Sequence, residues 1–112
     1  KASSLLAENP PHIHSVSELN LSVRALLDEA FDTLWIKGEV SNFSKPYSGH
    51  WYFTLKDSKA QIRCAMFKNA NFKVGFQPKD GEEVLVFAKV SLYPERGDYQ
   101  LIVEAMEASG LG

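Results

Sequence analysis

The feature that most constrains this chain is the spacing of its apolar residues, which is close to two over most of the sequence after Thr33. Successive side chains of a β-strand point to opposite faces of a sheet, so this period is typical of strands. A short turn at Asp57-Ser58-Lys59 joins the second and third runs, as in a hairpin. The five runs are residues 34–41, 50–56, 61–67, 84–93 and 99–106. The sequence therefore predicts a mainly β protein with five strands.

A helical period precedes the strands. The segment Ser15-Val16-Ser17-Glu18 fits a capping box, in which the first serine and the glutamate satisfy backbone donors at the start of a helix. Apolar residues then recur at spacings of three and four, which predicts a helix of about four turns that ends near Asp32. Its apolar stripe comprises Leu19, Val23, Leu26, Leu27 and Phe31. Residues 1–14 contain Pro10-Pro11 and show no period, which predicts a mobile leader.

The order of these elements is typical of the OB-fold. The polar segment from Lys68 to Gly75 predicts a short helix between the third and fourth strands, and an SH3-like barrel has no comparable connection there. Gly38 interrupts the apolar face of the first run, where a bent strand can need a missing side chain. We therefore predict a five-stranded OB-fold Greek-key barrel with an N-terminal α-helix and a short helix between strands three and four.

The length and composition predict one domain. The chain has 112 residues, of which 45% are hydrophobic, and this is enough for a single core. Both ends look like cuts in a longer polypeptide. We expect residues 1–14 to form the leader, 15–108 the barrel domain and 109–112 the start of a linker.

Features of membrane and secreted proteins are missing from the sequence. No apolar run approaches the ~18 residues of a membrane-spanning helix, and the first residues lack the apolar stretch of a signal peptide. Cys64 is the single cysteine and cannot form an internal disulfide. We therefore expect a soluble, cytoplasmic protein with no membrane partner.

Charge is distributed unevenly along the chain. The net charge of −2 does not itself indicate a nucleic-acid partner. Residues 45–73, however, carry six basic residues and one acidic residue, whereas residues 1–44 and 74–112 have net charges of −3 and −4. This basic segment contains the first barrel loop, the hairpin and the connection after it, which is the surface that OB-folds use to bind oligonucleotides.

Aromatic residues crowd the same basic segment, which contains six of the thirteen in the chain. If Trp51, Phe53 and Leu55 face the core, alternation directs Tyr52 and Lys56 outward on strand two. The same argument applied to strand three directs Arg63 and Phe67 outward. Exposed rings stack on bases while cations contact phosphates, so this surface predicts binding to a single strand. The candidate nucleic-acid-binding residues are Tyr52, Lys56, Arg63, Phe67, Lys68, Tyr47, His50 and Arg96.

Each of these residues also has an ordinary structural interpretation. Tyr52 and Phe67 can pack under a loop or the N-terminal helix, and the basic residues of the hairpin can form a solvated face that protects a sheet edge. Tyr47 lies in a Pro/Gly/Ser loop and can be a mobile tip or a ligand contact. Arg96 can serve only the solubility of the last turn.

The sequence predicts no catalytic residue, no metal site and no cofactor. No nucleophile, base and orienting group can be assembled, and no glycine-rich phosphate loop is present. His12 and His14 lie in the leader and are interpreted as incidental, while His50 has no second ligand near it in sequence. Cys64 falls on the inward face and is interpreted as an inert core residue.

Five motifs occur in order at residues 16–20, 35–43, 48–57, 64–67 and 93–101. Together they closely resemble the N-terminal domain of the large subunit of bacterial exodeoxyribonuclease VII. The resemblance implies an OB-fold that binds single-stranded DNA for a nuclease that digests single strands from both ends into oligonucleotides. It also implies that the catalytic domain, and the region that recruits the small subunits, lie downstream of Gly112, so we expect the fragment alone to be inactive.

Two other functions remain open from the sequence. In a docking module, the same exposed aromatics would contact other domains of the complex. In an RNA-binding module, the hairpin would act like the anticodon-binding barrels of some aminoacyl-tRNA synthetases, in which an outward aromatic at the position of Tyr52 stacks on a base.

Because stacking accepts any base, we expect a preference for single strands with weak discrimination among bases.

Overall fold

A computed structural model of the chain describes residues 9–109. Within this range the helices and strands, in chain order, are α1 (Val16–Ala30), β1 (Leu34–Ser44), β2 (Trp51–Lys56), β3 (Gln61–Met66), α2 (Lys68–Asn71), β4 (Glu83–Tyr93) and β5 (Asp98–Ala108). Residues 9–15 form neither helix nor strand. The remainder of the expected leader, and residues 110–112 of the expected linker, lie outside the described residues.

The five strands form a closed barrel in the order β1-β2-β3-β5-β4, and β4 pairs with β1 to close it. Every pair is antiparallel except β3 and β5, which run parallel with Arg63 opposite Gln100. This arrangement, with α2 between β3 and β4, confirms the predicted OB-fold. The predicted strand bounds are correct to within three residues, and the largest difference is that β1 continues to Ser44.

The first strand is long enough to pair with both β2 and β4. Gly38 is buried, and a Cβ atom there would lie 2.6 Å from Cγ of Leu55, so the missing side chain is required by close packing. The irregularity in the strand lies further along, where the register with β2 shifts between Ser41 and Ser44. Asn42 there has a φ of 54°, the left-handed conformation that asparagine tolerates better than most residues.

The inward residues of the strands form the core, as the alternation predicts. Trp51, Phe53 and Leu55 of β2 are buried, as are Cys64 and Met66 of β3. Burial raises the pKa of the Cys64 thiol to about 12, so it remains protonated and unreactive at neutral pH. This is consistent with the interpretation of Cys64 as an inert core residue.

Helix α1 begins with the predicted capping box. The amide of Glu18 donates to Oγ of Ser15 at 3.1 Å, and the amide of Ser15 donates to Oε1 of Glu18 at 2.8 Å. The helix contacts β4, and the side-chain amide of Asn20 donates to the carbonyl of Pro94 at 2.9 Å. The bond to Pro94 links α1 to the turn between β4 and β5.

Only part of the apolar stripe of α1 packs against the barrel. Val23 and Leu27 are half-buried, but Leu19, Leu26 and Phe31 remain exposed. The helix therefore contacts the barrel along a narrow line, and periodicity alone does not give the width of such a contact. Among residues 9–109, no helix is long and apolar enough to cross a membrane.

The short helix α2 is fixed to the barrel by its last residue. Asn71 is buried, and its Nδ2 donates to the carbonyls of Gly49 and Met66 at 2.9 and 3.0 Å. These bonds join the β1–β2 loop to the end of β3. Ala70 of α2 and Val74 after it pack against the core at this end.

Candidate nucleic-acid interface

A groove crosses the outer faces of β2, β3 and β5 and reaches the turn between β4 and β5. Its floor follows from the register of the strands, since Tyr52 lies opposite Ala65, and Arg63 lies opposite Gln100. The groove has a volume of about 290 Å³. It is lined by Tyr52, Arg63, Ala65, Phe67, Tyr93, Arg96, Asp98 and Gln100.

Four of the eight candidate residues line this groove. Tyr52 is half-buried, whereas Arg63, Phe67 and Arg96 are exposed. The structure thus places two rings and two guanidinium groups around one concavity. Such a set can stack on bases and bind phosphates at the same time.

The turn between β4 and β5 holds Arg96 at one end of the groove. The amides of Arg96 and Gly97 both donate to the carbonyl of Tyr93, and Gly97 has a φ of 75°, which favours glycine. Nε of Arg96 lies 3.3 Å from Oδ2 of Asp98, and both side chains are exposed. Because the guanidinium has five N–H donors, this contact leaves others for a phosphate.

His50 lies beside the groove and contacts two of its rings. Its ring centroid is 5.2 Å from that of Phe67 and 6.5 Å from that of Tyr52, both in edge-to-face geometry. Nδ1 of His50 accepts a hydrogen bond from the amide of Lys68 at 2.9 Å, so the ring proton is on Nε2. The imidazole therefore has a fixed orientation between β2 and the start of α2.

The remaining candidates lie apart from the groove. Lys68 begins α2 beyond Phe67 and is exposed, and Tyr47 is fully exposed in the β1–β2 loop. Lys56 ends β2 and lies opposite Glu39, in a concavity also lined by Asp57 and Glu83. Lys37 lines this concavity as well, and Lys56 is not among the residues that line the groove.

Sequence reasoning missed Tyr93 and Gln100, which complete the groove. Tyr93 follows the buried Leu92 on β4, so alternation alone predicts that it points outward. Gln100 reaches Arg63 only because β5 runs parallel to β3, and no local pattern signals that pairing. Alternation also directs Thr54 outward, yet its side chain is buried.

Asp57, the acidic residue of the basic segment, has a structural role. Its Oδ1 accepts hydrogen bonds from the amides of Lys59 and Ala60 at 2.8 and 2.9 Å. These bonds, first that from Lys59, lower the pKa of the carboxyl below its usual value. The carboxylate therefore stabilises the turn between β2 and β3, as the sequence suggests.

One cluster of potential metal ligands occurs within residues 9–109. Ligand atoms of His12, His14 and Glu18 all lie within 4.8 Å of one another, and the three side chains are exposed. Oε1 of Glu18 is already used by the capping box of α1. The cluster takes no part in the groove.

Comparisons with known proteins agree with this geometry. A family described as an OB-fold nucleic acid binding domain matches residues 14–107. The chain is 56% identical over 108 residues, or 96% of its length, to the exodeoxyribonuclease 7 large subunit of Enterobacter sp. (strain 638). It is 58% identical over 102 residues, or 91% of its length, to that of Cronobacter sakazakii. These matches confirm the resemblance seen in the motifs, although the chain spans only 24% and 22% of the two relatives.

Solved structures show the same fold at low identity. A chain of a replication protein A heterotrimer bound to ssDNA aligns with a TM-score of 0.58 and 15% identity, over 75% of this chain and 63% of the other. A putative aspartyl-tRNA synthetase from Leishmania major aligns with a TM-score of 0.57 and 20% identity, over 91% of this chain and 23% of the other. At such identities the likeness concerns the fold alone.

Proposed function

Because this chain belongs to the family of OB-fold nucleic acid binding domains, we propose that it binds single-stranded DNA as a domain of an exodeoxyribonuclease VII large subunit. The observation that carries the proposal is the groove that unites Tyr52 and Phe67 with Arg63 and Arg96. The identity to curated large subunits of this nuclease supports DNA as the ligand and gives the domain its place in a longer protein.

The groove suits a single strand by its chemistry. Each unpaired base offers a ring face to Tyr52 or Phe67, and base stacking on aromatic side chains contributes about 1–3 kcal/mol per base. Arg63 and Arg96 can contact the phosphates between those bases. In a duplex the bases are already stacked on each other, so the rings of the groove cannot reach them.

Stacking also explains the expected tolerance of sequence. Every base has a ring face, and most of the residues that line the groove lie on strands of the barrel wall and not on a helix that could enter a duplex groove. The domain therefore discriminates weakly among bases. This property fits a nuclease that must process strands of any sequence.

In the longer protein, the domain holds the strand while a separate domain cleaves it. The groove of this chain contains cations and aromatic rings. The one acidic residue that lines it, Asp98, has its carboxylate close to the guanidinium of Arg96. Hydrolysis of a phosphodiester requires an activated nucleophile and stabilisation of the developing charge. Cleavage and the recruitment of small subunits thus belong to other regions of the longer protein, which we place in the cytoplasm.

The salt dependence of binding tests this proposal. Fluorescence anisotropy of labelled oligothymidylate should show binding at low salt, with log K falling against log salt by about 0.7 for each phosphate neutralised. If Arg63 and Arg96 each neutralise one phosphate and no other residue does, the slope of log K against log salt should be about −1.4. The same titration with labelled duplex of the same length provides the matched control.

Three results would contradict the proposal. Absence of binding at low salt would favour the docking function, in which the exposed rings contact protein. Duplex binding as tight as that of the single strand would exclude a stacking mechanism. An oligouridylate that binds much more tightly than oligothymidylate would favour the RNA-binding alternative.

A further inference from the structure

A second aromatic concavity adjoins the groove at the start of α2. It is lined by His50, Phe67, Lys68, Asn69 and Phe72. Phe67 lines the groove as well, so its ring forms a wall common to both concavities. A strand that leaves the groove past Phe67 therefore enters this second concavity directly.

We propose that Phe72 is a further base-stacking residue, which extends the path of single-stranded DNA from the groove over α2. The inference rests on the proposed function, since it concerns the continuation of the same DNA path. Phe72 and the concavity around it lie outside the groove that carries that function.

The exposure of Phe72 supports this role. Its side chain is 70% exposed, the largest exposure of any phenylalanine within residues 9–109. It does not contribute to the barrel core, where Ala70 and Val74 pack instead. A large ring left in water loses no protein contacts when it accepts a base, and it gains the burial of its apolar face.

The position of Phe72 is fixed relative to the groove. Phe67 is the N-cap residue of α2 and Phe72 is its C-cap residue, so four residues of helix separate the two rings. The hydrogen bonds from Asn71 to Gly49 and Met66 attach this helix to the barrel. A preformed distance between stacking residues reduces the entropy lost when the strand binds.

The charge around the concavity favours a nucleic acid over an apolar protein segment. Lys68 lines the concavity, and Nζ of Lys73 lies 5.9 Å from the centroid of the Phe72 ring. Asp57 is the acidic residue of the segment 45–73, and it lies in the β2–β3 turn, at the opposite end of these strands from α2. Ring and cations together match a base and its phosphates.

His50 connects the two concavities through its edge-to-face contacts with Tyr52 and Phe67. Tyr52, His50 and Phe67 thus form a row of rings in contact, and Phe72 lies in the same concavity as the last two. The row gives the strand aromatic contacts on both sides of Phe67.

The length of the bound strand tests this inference. OB-folds cover about 4–16 nucleotides, so oligothymidylates that sample this range distinguish a short site from an extended one. We expect Phe72→Ala to leave the affinity for the shortest oligonucleotides unchanged and to weaken that for the longest by about fivefold or more. Tyr52→Ala should weaken binding at every length.

The substitution Phe72→Trp provides a conservative control with its own signal. It should retain the affinity for long oligonucleotides, and its added fluorescence should be quenched by long but not by short ones. The wild-type protein, which contains Trp35 and Trp51, gives the background. Thermal melting of each variant shows whether the barrel is intact.

The outcomes separate this inference from the proposed function. If Phe72→Ala binds every length as tightly as the wild type, or loses the same factor at every length, the extended path is wrong. If Tyr52→Ala still weakens the binding of oligothymidylate in that case, the groove is the whole binding site. If the wild type binds no oligonucleotide, both the proposed function and this inference fail.

Discussion

Two groups of aromatic residues in this molecule lie in chain segments whose net charges differ in sign. In the groove, Tyr52 and Phe67 belong to residues 45–73, which have a net charge of +5. On a second surface, which we call the helix side and define by α1 with Trp35 and Phe87, the exposed Trp35 belongs to residues 1–44, which have a net charge of −3. If the groove binds DNA as we propose, the charge of the segment, and not the exposure of a ring alone, distinguishes the two surfaces.

The helix side also carries exposed apolar residues. Trp35 is 52% exposed, and its ring centroid lies 5.0 Å from that of Phe87. Leu19 and Leu26 of α1 are exposed nearby in sequence. Asp28 and Glu29 of α1 belong to the same acidic segment as Trp35, and negative charge repels phosphates, so we expect no DNA contact on the helix side.

Reversing one charge in each region should give the largest contrast. Arg63→Glu places a carboxylate in the middle of the groove and should weaken binding of oligothymidylate about 10- to 100-fold at low salt. Arg24→Glu makes the same change on the exposed surface of α1 and should have less than about a twofold effect. Anisotropy titrations measure both, and equal losses would show that only the net charge matters.

Removing one ring from each region should give the next largest contrast. Tyr52→Ala should weaken binding about tenfold, within the range that base stacking contributes. Trp35→Ala removes a larger and more exposed ring, and it should leave the affinity unchanged. A loss of affinity in the Trp35 variant, with normal thermal stability, would extend the DNA surface to the helix side.

Removing the hydrogen bond between Asn20 and Pro94 tests whether the helix side supports the structure of the groove. It connects α1 to the turn that holds Arg96. Asn20→Ala should lower the free energy of unfolding by about 1 kcal/mol and weaken DNA binding by about two- to threefold. Chemical denaturation and anisotropy give the two numbers, and unchanged affinity would mean that α1 does not support the turn.

The smallest effect on DNA affinity is expected for Cys64, which lies in the core of the barrel. Its pKa is raised from 9.0 to about 12, so folding favours the protonated thiol, and this contribution to stability is present in full below pH 9. It should fall as the pH rises from 9 towards 12. Thermal melts and thiol labelling across this pH range should show the loss of stability, and Cys64→Ala serves as the control. Between pH 7 and 8.5 the thiol stays protonated, so it should cause no change in DNA affinity.

Most of the fold could be predicted from the sequence because its signals are local. The alternation of apolar residues gives the strands, and Ser15 with Glu18 gives the start of α1. The close packing of Gly38 on Leu55 also agrees with the interrupted apolar face of β1. Each of these features depends on neighbours within a few residues or on one buried face.

The candidate site could be predicted only in part, because alternation gives the face of a strand but not the residues beside it. Lys56 points to the same face as Tyr52, yet its neighbour across the sheet is Glu39. Arg63 likewise acquires Gln100 through the pairing of β3 with β5. Such contacts depend on strand order and register, which are properties of the closed barrel.

The parallel pairing of β3 with β5 has a consequence for the synthesis of the protein. The basic hairpin emerges from the ribosome well before β5, because α2 and β4 lie between them in the chain. Pairing strands so far apart in sequence requires the closure of a long loop, which is slow and entropically costly. A nascent chain that ends before β5 therefore displays the rings and cations of the hairpin without the groove, and the DNA binding that we propose requires the synthesis of β5.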